Sequence, residues 1–396
     1  MYIKKRYLII GAVLLAVISF CGALLIMNPF GISGIDDFVK LRAGIGVLKH
    51  YYYENLDNGK IVDGVLAGAA YSAEDPYTAY MPAKTAEDYM QEVDSDDYTG
   101  VGLYITNDTS DNTVAVVSPL SDSPAEKAGI VSGDKIIAVN GEQVYGENLD
   151  EVAEKMKGKA DTEVTLTILK KADSSKKDIT LKRAVVKRET VEAKMLGEKT
   201  GYIEITQFGV NTYDEFVEAF NGLVDKKMET LVIDLRNNPG GYMEMAVNIA
   251  DTFVEKGKNI VYTMNRTGKK HEYNAKKDKI EIPIVLLSNG GSASASEILI
   301  GALRDNGEAV LVGEKTFGKG VTQIPYTFPD GSLMKITDSR YYTPSGKCID
   351  KEGIEPDYEV KMSDEKYASL SSLELKDDDQ LSMAVELLKN PEKLKK

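Results

Sequence analysis

A chain of 396 residues is long enough for about two or three domains. Its hydrophobic fraction of 43% and charged fraction of 28% are typical of a folded globular protein. The net charge of −14 gives a surface that repels phosphate backbones, which argues against a nucleic acid partner. With only Cys21 and Cys348 the chain has no disulfide framework, so packed cores must stabilise it.

The N-terminus carries an uncharged, mostly apolar run from Tyr7 to Met27, directly after Lys4-Lys5-Arg6. As a helix this run spans about 31 Å, at about 1.5 Å per residue, which matches the core of a bilayer. It is longer than the apolar region of a signal peptide and lacks a clear cleavage site. Residues 1–33 are therefore predicted to form a cytoplasmic stub and an uncleaved transmembrane anchor, residues 7–27. The rest of the chain is expected outside the cell membrane.

Residues 34–97 are predicted to form a helical region without a catalytic role. Its apolar residues recur at helical spacing, namely Phe38, Leu41, Ile45 and Leu48. The run Tyr51-Tyr52-Tyr53 can pack against a partner subunit, but we expect it to pack in a core.

Residues 98–187 alternate short strand-like segments with turn signals. The predicted strands are Val101–Ile105, Thr113–Val117, Lys135–Val139, Val164–Leu169 and Asp178–Leu181. Two short helices are also predicted, one after Ser123-Pro124 and one from Leu149 to Met156.

Three ordered motifs in this region resemble those of a PDZ domain. They are Tyr98-Thr99-Gly100-Val101-Gly102-Leu103, Ser123-Pro124-Ala125-Glu126-Lys127-Ala128-Gly129-Ile130 and Gly133-Asp134-Lys135-Ile136-Ile137-Ala138-Val139-Asn140-Gly141. A glycine-rich turn can direct successive backbone N–H groups at a carboxylate, and an adjacent strand edge can bind an extended peptide. The resemblance therefore implies a site for protein C-termini at Gly100, Val101, Gly102 and Leu103.

From residue 188 to residue 361, apolar strands alternate with amphipathic helices, which indicates an α/β layer. The strands are predicted at Gly201–Ile205, Leu231–Leu235, Ile282–Leu287 and Ala309–Val312. Residues 362–396 are predicted to form a helical tail, in which Asp377-Asp378-Asp379 suits the start of a helix. We expect this tail to cap the fold. A contact between two copies of the tail in a homodimer stays open as an alternative.

The segment from Leu286 to Gln323 carries the candidate chemistry. Four serines cluster after a predicted strand, namely Ser288, Ser292, Ser294 and Ser296. Serine in such a position is commonly a helix cap or a turn residue. A hydroxyl at the start of a helix also lies near unpaired N–H groups, which favour a developing oxyanion.

Lys319 follows this cluster between two glycines, and we expect Phe317, Val321 and Ile324 to shield it from water. Burial lowers the pKa of a lysine, so a neutral amine can accept the proton of a serine hydroxyl. Gln323 can orient that amine by a hydrogen bond.

Other chemistries are disfavoured. His50 and His271 lie outside any motif, and no metal-ligand spacing is present, so neither a histidine triad nor a metal or other cofactor is predicted. The stretch from Gly313 to Lys319 matches a P-loop until Gly320 replaces the required Ser or Thr. A strand is predicted after it, whereas a P-loop needs a helix there.

Longer motifs resemble the carboxyl-terminal processing peptidases, also called tail-specific proteases. They are found at residues 234–241, 291–298, 312–323, 341–346 and 353–357, in the order of that family. The resemblance implies that Ser294 is the nucleophile, Lys319 the general base and Gln323 its partner. It also implies an oxyanion hole formed by the backbone N–H groups of Gly241 and Ala295.

The expected architecture is multidomain, α/β and α+β, with an α/β protease core, an inserted PDZ domain, a helical N-terminal region and a transmembrane helix. The resemblance implies a membrane-anchored serine endopeptidase for protein or peptide substrates with exposed C-termini. Two alternatives stay open. One is a scaffold that binds C-terminal peptides and has a silent protease core, and the other is an enzyme that is latent until a partner or peptide opens it.

Overall fold

The computed structural model describes residues 14, 15, 19, 35–94, 98–108, 110–120, 123–187, 189–363, 366 and 375–390. The chain divides into two compact units, residues 1–73 and 74–396. The predicted membrane anchor, residues 7–27, lies outside the described residues except at three positions. Within the described ranges, no helix has the length and apolar character that crossing a bilayer requires.

In the first unit, the described range from residue 35 to residue 73 contains the helices α1 (Ile35–Tyr51) and α2 (Asn58–Tyr71). Helix α2 begins after Asp57, whose carboxylate accepts the N–H of Lys60 at 3.0 Å. Three of the four apolar residues in the predicted α1 stripe line a groove between the two helices. Tyrosines 51–53 lie where α1 ends and are exposed, so the expectation that they pack in a core is wrong.

The region that resembles a PDZ domain forms an antiparallel sheet with short helices packed against it. It is preceded by β1 (Ala79–Met81) and α3 (Ala83–Asp94). Its elements are β2 (Tyr98–Gly100), β3 (Leu103–Asp108), β4 (Thr113–Pro119), α4 (Pro124–Lys127), β5 (Lys135–Val139), β6 (Glu142–Gln143), α5 (Leu149–Met156), β7 (Glu163–Leu169), β8 (Lys176–Lys182) and β9 (Ala184–Val186). The strand order β3-β4-β5-β7-β8 makes β3 an edge strand. The five strands and two helices predicted here are confirmed, with small shifts at their ends.

The remaining elements build an α/β core. They are β10 (Val191–Leu196), β11 (Thr200–Ile205), α6 (Thr212–Asp225), β12 (Thr230–Asp234), α7 (Met243–Ala250), β13 (Asn259–Asn265), β14 (Lys270–Asn274), β15 (Ile284–Ser288), α8 (Ala295–Asp305), β16 (Ala309–Gly313), β17 (Val321–Thr327), β18 (Leu333–Tyr342), β19 (Tyr358–Glu359) and α9 (Asp379–Leu388). Six of these strands form a sheet ordered β10-β11-β12-β15-β16-β19, which is parallel from β11 onward. The predicted α/β layer is confirmed.

Both faces of this sheet are covered by helices, because adjacent residues of each strand point to opposite sides. On one face Ile233 and Leu286 pack in a cluster with α6, α7 and α8. On the other face Val232 and Val285 pack with α9. Strands that are buried on both faces have continuous apolar sequences, which explains why the pattern located β11, β12, β15 and β16 correctly.

A second sheet is built around the long strand β18. Strand β17 pairs with one edge of β18, whereas β1 and β13 pair with the other edge, and β14 extends the sheet beyond β13. Strand β1 corrects the prediction that region 34–97 is helical, because one of its breaks is a strand. Its pairing from Ala79 with Lys335 to Met81 with Leu333 determines the strand, since three residues carry no periodicity of their own.

The buried guanidinium of Arg236 joins the parallel sheet to the C-terminal tail. It pairs with Asp234 at the end of β12 and with Asp378, whose Oδ2 lies 2.9 Å from Nη2. The side-chain oxygen of Gln380 accepts a further hydrogen bond from it at 3.1 Å. Asp378 also caps α9, because its carboxylate accepts the N–H of Leu381 at 2.9 Å. The helix predicted in the tail is confirmed as α9.

This network predicts a large loss of stability on Arg236→Ala, because two carboxylates then stay buried without their cation. We expect the free energy of unfolding to fall by about 3–5 kcal/mol in urea denaturation. Lys199→Ala is the control, since it removes only an exposed ion pair with Glu229, and such pairs contribute little to stability in water. Equal, small losses for both variants would contradict this assignment.

Candidate active site

Three loops meet at one edge of the parallel sheet, because each leaves the carboxyl end of a strand. Residues 235–242 follow β12, residues 289–294 follow β15 and residues 314–320 follow β16. The N–H of Ala293 donates to the carbonyl of Asn238 at 3.0 Å, which joins the first two loops. The fold therefore collects the predicted oxyanion turn, the serine cluster and the lysine in one place.

Asn238 fixes the glycine turn of the first loop. Its buried side chain donates to a β11 carbonyl at 2.7 Å and accepts the N–H of Gly240 at 2.8 Å. Gly240 has a φ of 99°, and a Cβ there would lie 2.7 Å from the Cβ of Ser294 and 2.9 Å from the nitrogen of Ala295. Only glycine permits this approach, which brings the turn and the following Gly241 to the start of α8.

The four serines of the second loop have different surroundings. Three are fully buried and their hydroxyls donate to backbone carbonyls, Ser288 to Glu314, Ser292 to Leu235 and Ser296 to Asn238. Ser294 is half-buried, and its hydroxyl donates to no other residue that the structure describes. The surroundings thus separate one available hydroxyl from three that hold the loops together.

Ser294 also has an unusual backbone. Its φ is 55° and its ψ is −113°, a region that residues with a β-carbon disfavour. It directly precedes α8, so the strained residue stands at a sharp turn into a helix whose first N–H groups have no acceptor within the helix. The N–H of Ala295 is the first of these groups. In α/β-hydrolases, a strained serine at such a strand-to-helix turn presents its hydroxyl to substrate.

The buried carboxylate of Glu297 links this serine to the lysine loop. One oxygen, Oε2, accepts both the N–H of Ser294 and the N–H of Lys319, each at 2.9 Å. The other oxygen accepts the N–H of Gly318 at 2.8 Å and the hydroxyl of Thr316 at 2.6 Å. Burial raises the pKa of Glu297, whereas these four donors favour its charged form. The sequence reasoning missed Glu297, although its position three residues after Ser294 has the spacing of a capping box.

The amine of Lys319 lies against an aromatic ring that the sequence reasoning also missed. Its Nζ is 4.7 Å from the ring centroid of Tyr77, in the segment that leads into β1. The expected apolar wall is wrong at two positions, because Phe317 and Ile324 are 60% and 50% exposed. Side chains alternate between the two faces of β17, and Ile324 lies on the face that points away from the Lys319 amine. The ring of Tyr77 lies against the amine instead.

Burial lowers the pKa of Lys319, as the sequence pattern predicts. The positive charge of Lys335 on β18 lowers this pKa further, whereas the negative charge of Asp75 raises it. Asp75 is fixed in place, since it accepts the hydroxyl of Thr78 at 2.6 Å and Thr78 accepts the N–H of Thr337 at 3.1 Å. The surroundings of Lys319 therefore lower its pKa overall, with burial as the main cause.

Gln323 lies on β17, and the strand predicted after Lys319 is thereby confirmed. Its amide nitrogen contacts the hydroxyl of Thr337 at 3.4 Å and the carbonyl of Val321 at 3.5 Å. Among the described residues, neither Gln323 nor the hydroxyl of Ser294 forms a hydrogen bond with the Lys319 amine. The structure brings the backbones of the predicted nucleophile and base together, and the role of Gln323 stays a prediction.

The predicted carboxylate-binding turn of the PDZ region precedes β3. Gly100 ends β2, where it pairs with Ala184, and Leu103 begins β3. Gly102 between them has a φ of 78°, and a Cβ there would lie 2.2 Å from the Cβ of Ser123. This turn explains why the strand begins later than Val101, where the sequence pattern predicted it.

The hydrogen bonds of this turn direct its N–H groups. The carbonyl of Val101 accepts the N–H of Ala125 at 2.9 Å, and the carbonyl of Gly102 accepts the N–H of Leu120 at 3.0 Å. In a trans peptide the N–H points opposite to the C=O, so the N–H groups of Gly102 and Leu103 point away from these donors. The edge strand β3 continues from this point.

Comparison with known proteins identifies the family. Residues 199–360 match the profile of Peptidase family S41, and residues 116–170 match that of a PDZ domain. The carboxy-terminal processing protease CtpA of Bacillus subtilis (strain 168) is 38% identical over 343 residues, which cover 86% of this chain and 72% of that protein. The chain belongs to Peptidase family S41.

Two further relatives agree with this assignment. The carboxy-terminal processing protease CtpB of the same organism is 36% identical over 361 residues, covering 90% of this chain and 74% of that protein. The structure of a photosystem II D1 C-terminal processing protease is 31% identical, with a TM-score of 0.51 over 80% of this chain and 86% of that chain. The chain is therefore a serine-type S41 peptidase with a PDZ domain, and its substrates are proteins or peptides.

The surroundings of Lys319 predict the pH dependence of this peptidase. If the neutral amine is the base, kcat/KM rises with pH along a limb whose midpoint lies below the ordinary pKa of lysine. Lys335→Gln removes a positive charge that lowers this pKa, so the limb should move to higher pH. Lys269→Gln, on an exposed hairpin, is the matched control and should leave the limb in place. A limb that does not respond to Lys335→Gln would exclude Lys319 as its origin.

Proposed function

We propose that this S41 peptidase is a membrane-anchored endopeptidase that binds protein C-termini through its PDZ domain and cleaves through an acyl-enzyme on Ser294. One observation carries the catalytic part of the proposal. Ser294 is a half-buried residue with a strained backbone, and its N–H and the N–H of Lys319 donate to the same oxygen of Glu297. This geometry holds the nucleophile and a lysine of lowered pKa on adjacent loops.

Acylation follows from these groups. The neutral amine of Lys319 accepts the hydroxyl proton of Ser294 while the oxygen attacks the scissile carbonyl carbon. The N–H groups of Gly241 and Ala295 donate to the resulting oxyanion. The Lys319 ammonium then protonates the departing amine as the peptide bond breaks, which leaves an ester on Ser294. Gln323 orients the amine through a hydrogen bond that forms when substrate fills the site.

Deacylation repeats the same proton transfers with water. The Lys319 amine accepts a proton from a water molecule as its oxygen attacks the ester carbonyl. The ammonium returns that proton to the oxygen of Ser294 when the ester bond breaks, and the new C-terminus departs. No further group is needed to balance the cycle.

Substrate recognition is assigned to the turn before β3. The N–H groups of Gly102 and Leu103 point away from Ala125 and Leu120, which hold the turn. A terminal carboxylate can therefore accept a hydrogen bond from each of these two N–H groups. Gly100 and Val101 shape this turn, and the free edge of β3 can pair with the residues that precede the carboxylate. The relatives named carboxy-terminal processing proteases support this assignment.

Membrane attachment rests on the sequence. The uncharged run of residues 7–27 after a basic cluster supports a single-pass anchor with the peptidase outside the cell membrane. A homodimer through the C-terminal tail also stays a prediction.

The proposal predicts that Ser294→Ala abolishes cleavage of an unstructured polypeptide such as casein. We expect kcat/KM to fall more than about 10³-fold without loss of folding, because the neighbouring hydroxyls of Ser292 and Ser296 are buried and donate to backbone carbonyls. Ser345→Ala, an exposed serine bonded to Asp305, is the matched control and should retain activity. The assay also compares a peptide that has a free C-terminal carboxylate with its amidated form, for which KM should rise.

Each part of the proposal can fail separately. Cleavage by Ser294→Ala at the wild-type rate would remove the catalytic assignment. Equal KM values for the free and amidated peptides would remove the role of the PDZ turn. A wild-type chain that binds such peptides without cleaving any protein would instead favour a scaffold with a silent core.

A further inference from the structure

Tyr341 lies behind the two catalytic loops and is the penultimate residue of β18. Its side chain is only 1% exposed. Its hydroxyl donates to the carbonyl of Ser294 at 3.1 Å and also contacts the carbonyl of Lys319 within hydrogen-bond distance. A hydroxyl has one proton, so the two carbonyls share it. A single side chain thus touches the backbone of both the proposed nucleophile and the proposed base.

The same two residues are held from their N–H side by Glu297. Its Oε2 accepts the N–H of Ser294 and the N–H of Lys319, each at 2.9 Å. Both backbone polar groups of the nucleophile, and both of the base, are therefore engaged by the same pair of side chains. This arrangement fixes the separation of the two backbones more tightly than a bond to either loop alone. If one loop shifts relative to the other, its bonds to both Glu297 and Tyr341 are broken or lengthened.

We propose that Tyr341 is a positioning residue, whose hydroxyl sets the position of the Lys319 amine relative to the Ser294 oxygen. The inference rests on the proposed function of those two residues. Burial raises the pKa of Tyr341, and the negative charge of Glu297 acts in the same direction, so the hydroxyl stays protonated and remains a donor. The hydroxyl of Tyr341 contacts the two backbone carbonyls and takes no part in proton transfer.

The ring and the main chain of Tyr341 have a separate, structural role. The ring packs in the core cluster beneath α7 and α8, and the N–H of Tyr341 donates to the carbonyl of Gly320 at 3.0 Å. Tyr341→Phe keeps both features and removes only the hydroxyl. Tyr342→Phe is the matched control. It removes the hydroxyl of the next residue, whose ring stacks on Tyr262 at 5.0 Å.

The experiment measures kcat and KM for peptide cleavage and the rate at which a fluorophosphonate probe labels Ser294. In Tyr341→Phe we expect kcat and the labelling rate to fall together by about 10–100-fold with KM unchanged, because a small misplacement of a catalytic group costs this much. Tyr342→Phe should match the wild type. Replacement of Tyr341 by p-aminophenylalanine, which keeps the ring and a donor, should restore most of the rate.

Three results would overturn the inference. They are a Tyr341→Phe variant with wild-type kcat and labelling, a loss confined to thermal stability, and a p-aminophenylalanine variant that folds yet is as slow as Tyr341→Phe. If Tyr341→Phe does not fold, the p-aminophenylalanine variant decides alone. A folded variant with most of the wild-type rate then supports the inference, and a folded but slow variant overturns it. Absence of probe on Ser294 in the wild type would instead refute the proposed function itself, which separates the two failures.

Discussion

A single buried carboxylate, that of Glu297, holds the site together. Glu297 lies beneath the loops and is fully buried, and an uncompensated charge in such a place costs several kcal/mol. Four donors from the serine and lysine loops compensate it. Any motion that separates the two loops removes donors from a buried anion, so the carboxylate resists that motion. The strained backbone of Ser294 persists because its N–H is one of these donors.

The parallel sheet makes this arrangement possible. Strands β12, β15 and β16 are neighbours, so the three loops that follow them emerge side by side. The same sheet buries both faces, one under α6 to α8 and the other under α9. Arg236 connects the tail helix to the end of β12, directly before the glycine turn. The position of the turn thus depends on the C-terminal tail as well as on the core.

Sequence patterns predicted the parts of the fold that carry their own periodicity or composition. The central strands read as continuous apolar runs because both of their faces are buried, and α8 shows an apolar stripe that includes Ile298 and Leu299. The spacing could not choose among four serines. The family resemblance selected Ser294, and the structure shows the physical difference, since the other three hydroxyls are buried and bonded to carbonyls.

Other features depend on contacts between distant parts of the chain, which local patterns do not contain. Strand β1 has three residues and exists because β18 pairs with it. The same pairing brings Tyr77 to the amine of Lys319, whereas the sequence reasoning placed Phe317 and Ile324 there. The local sequence pattern around Glu297 indicates only a helix cap. Its hydrogen bonds to the N–H groups of Gly318 and Lys319 form only when the chain is folded.

The most direct test of this account is the turnover of Glu297→Gln, with its fold checked by circular dichroism. Glutamine keeps the shape but presents one oxygen and an NH₂ group to four donors, so the two loops lose their common acceptor. The account predicts that kcat falls by about 10²-fold or more. Glu308→Gln, which breaks a partly exposed pair with Lys279 at 3.1 Å, should retain activity. A folded Glu297→Gln variant with wild-type kcat would contradict the account.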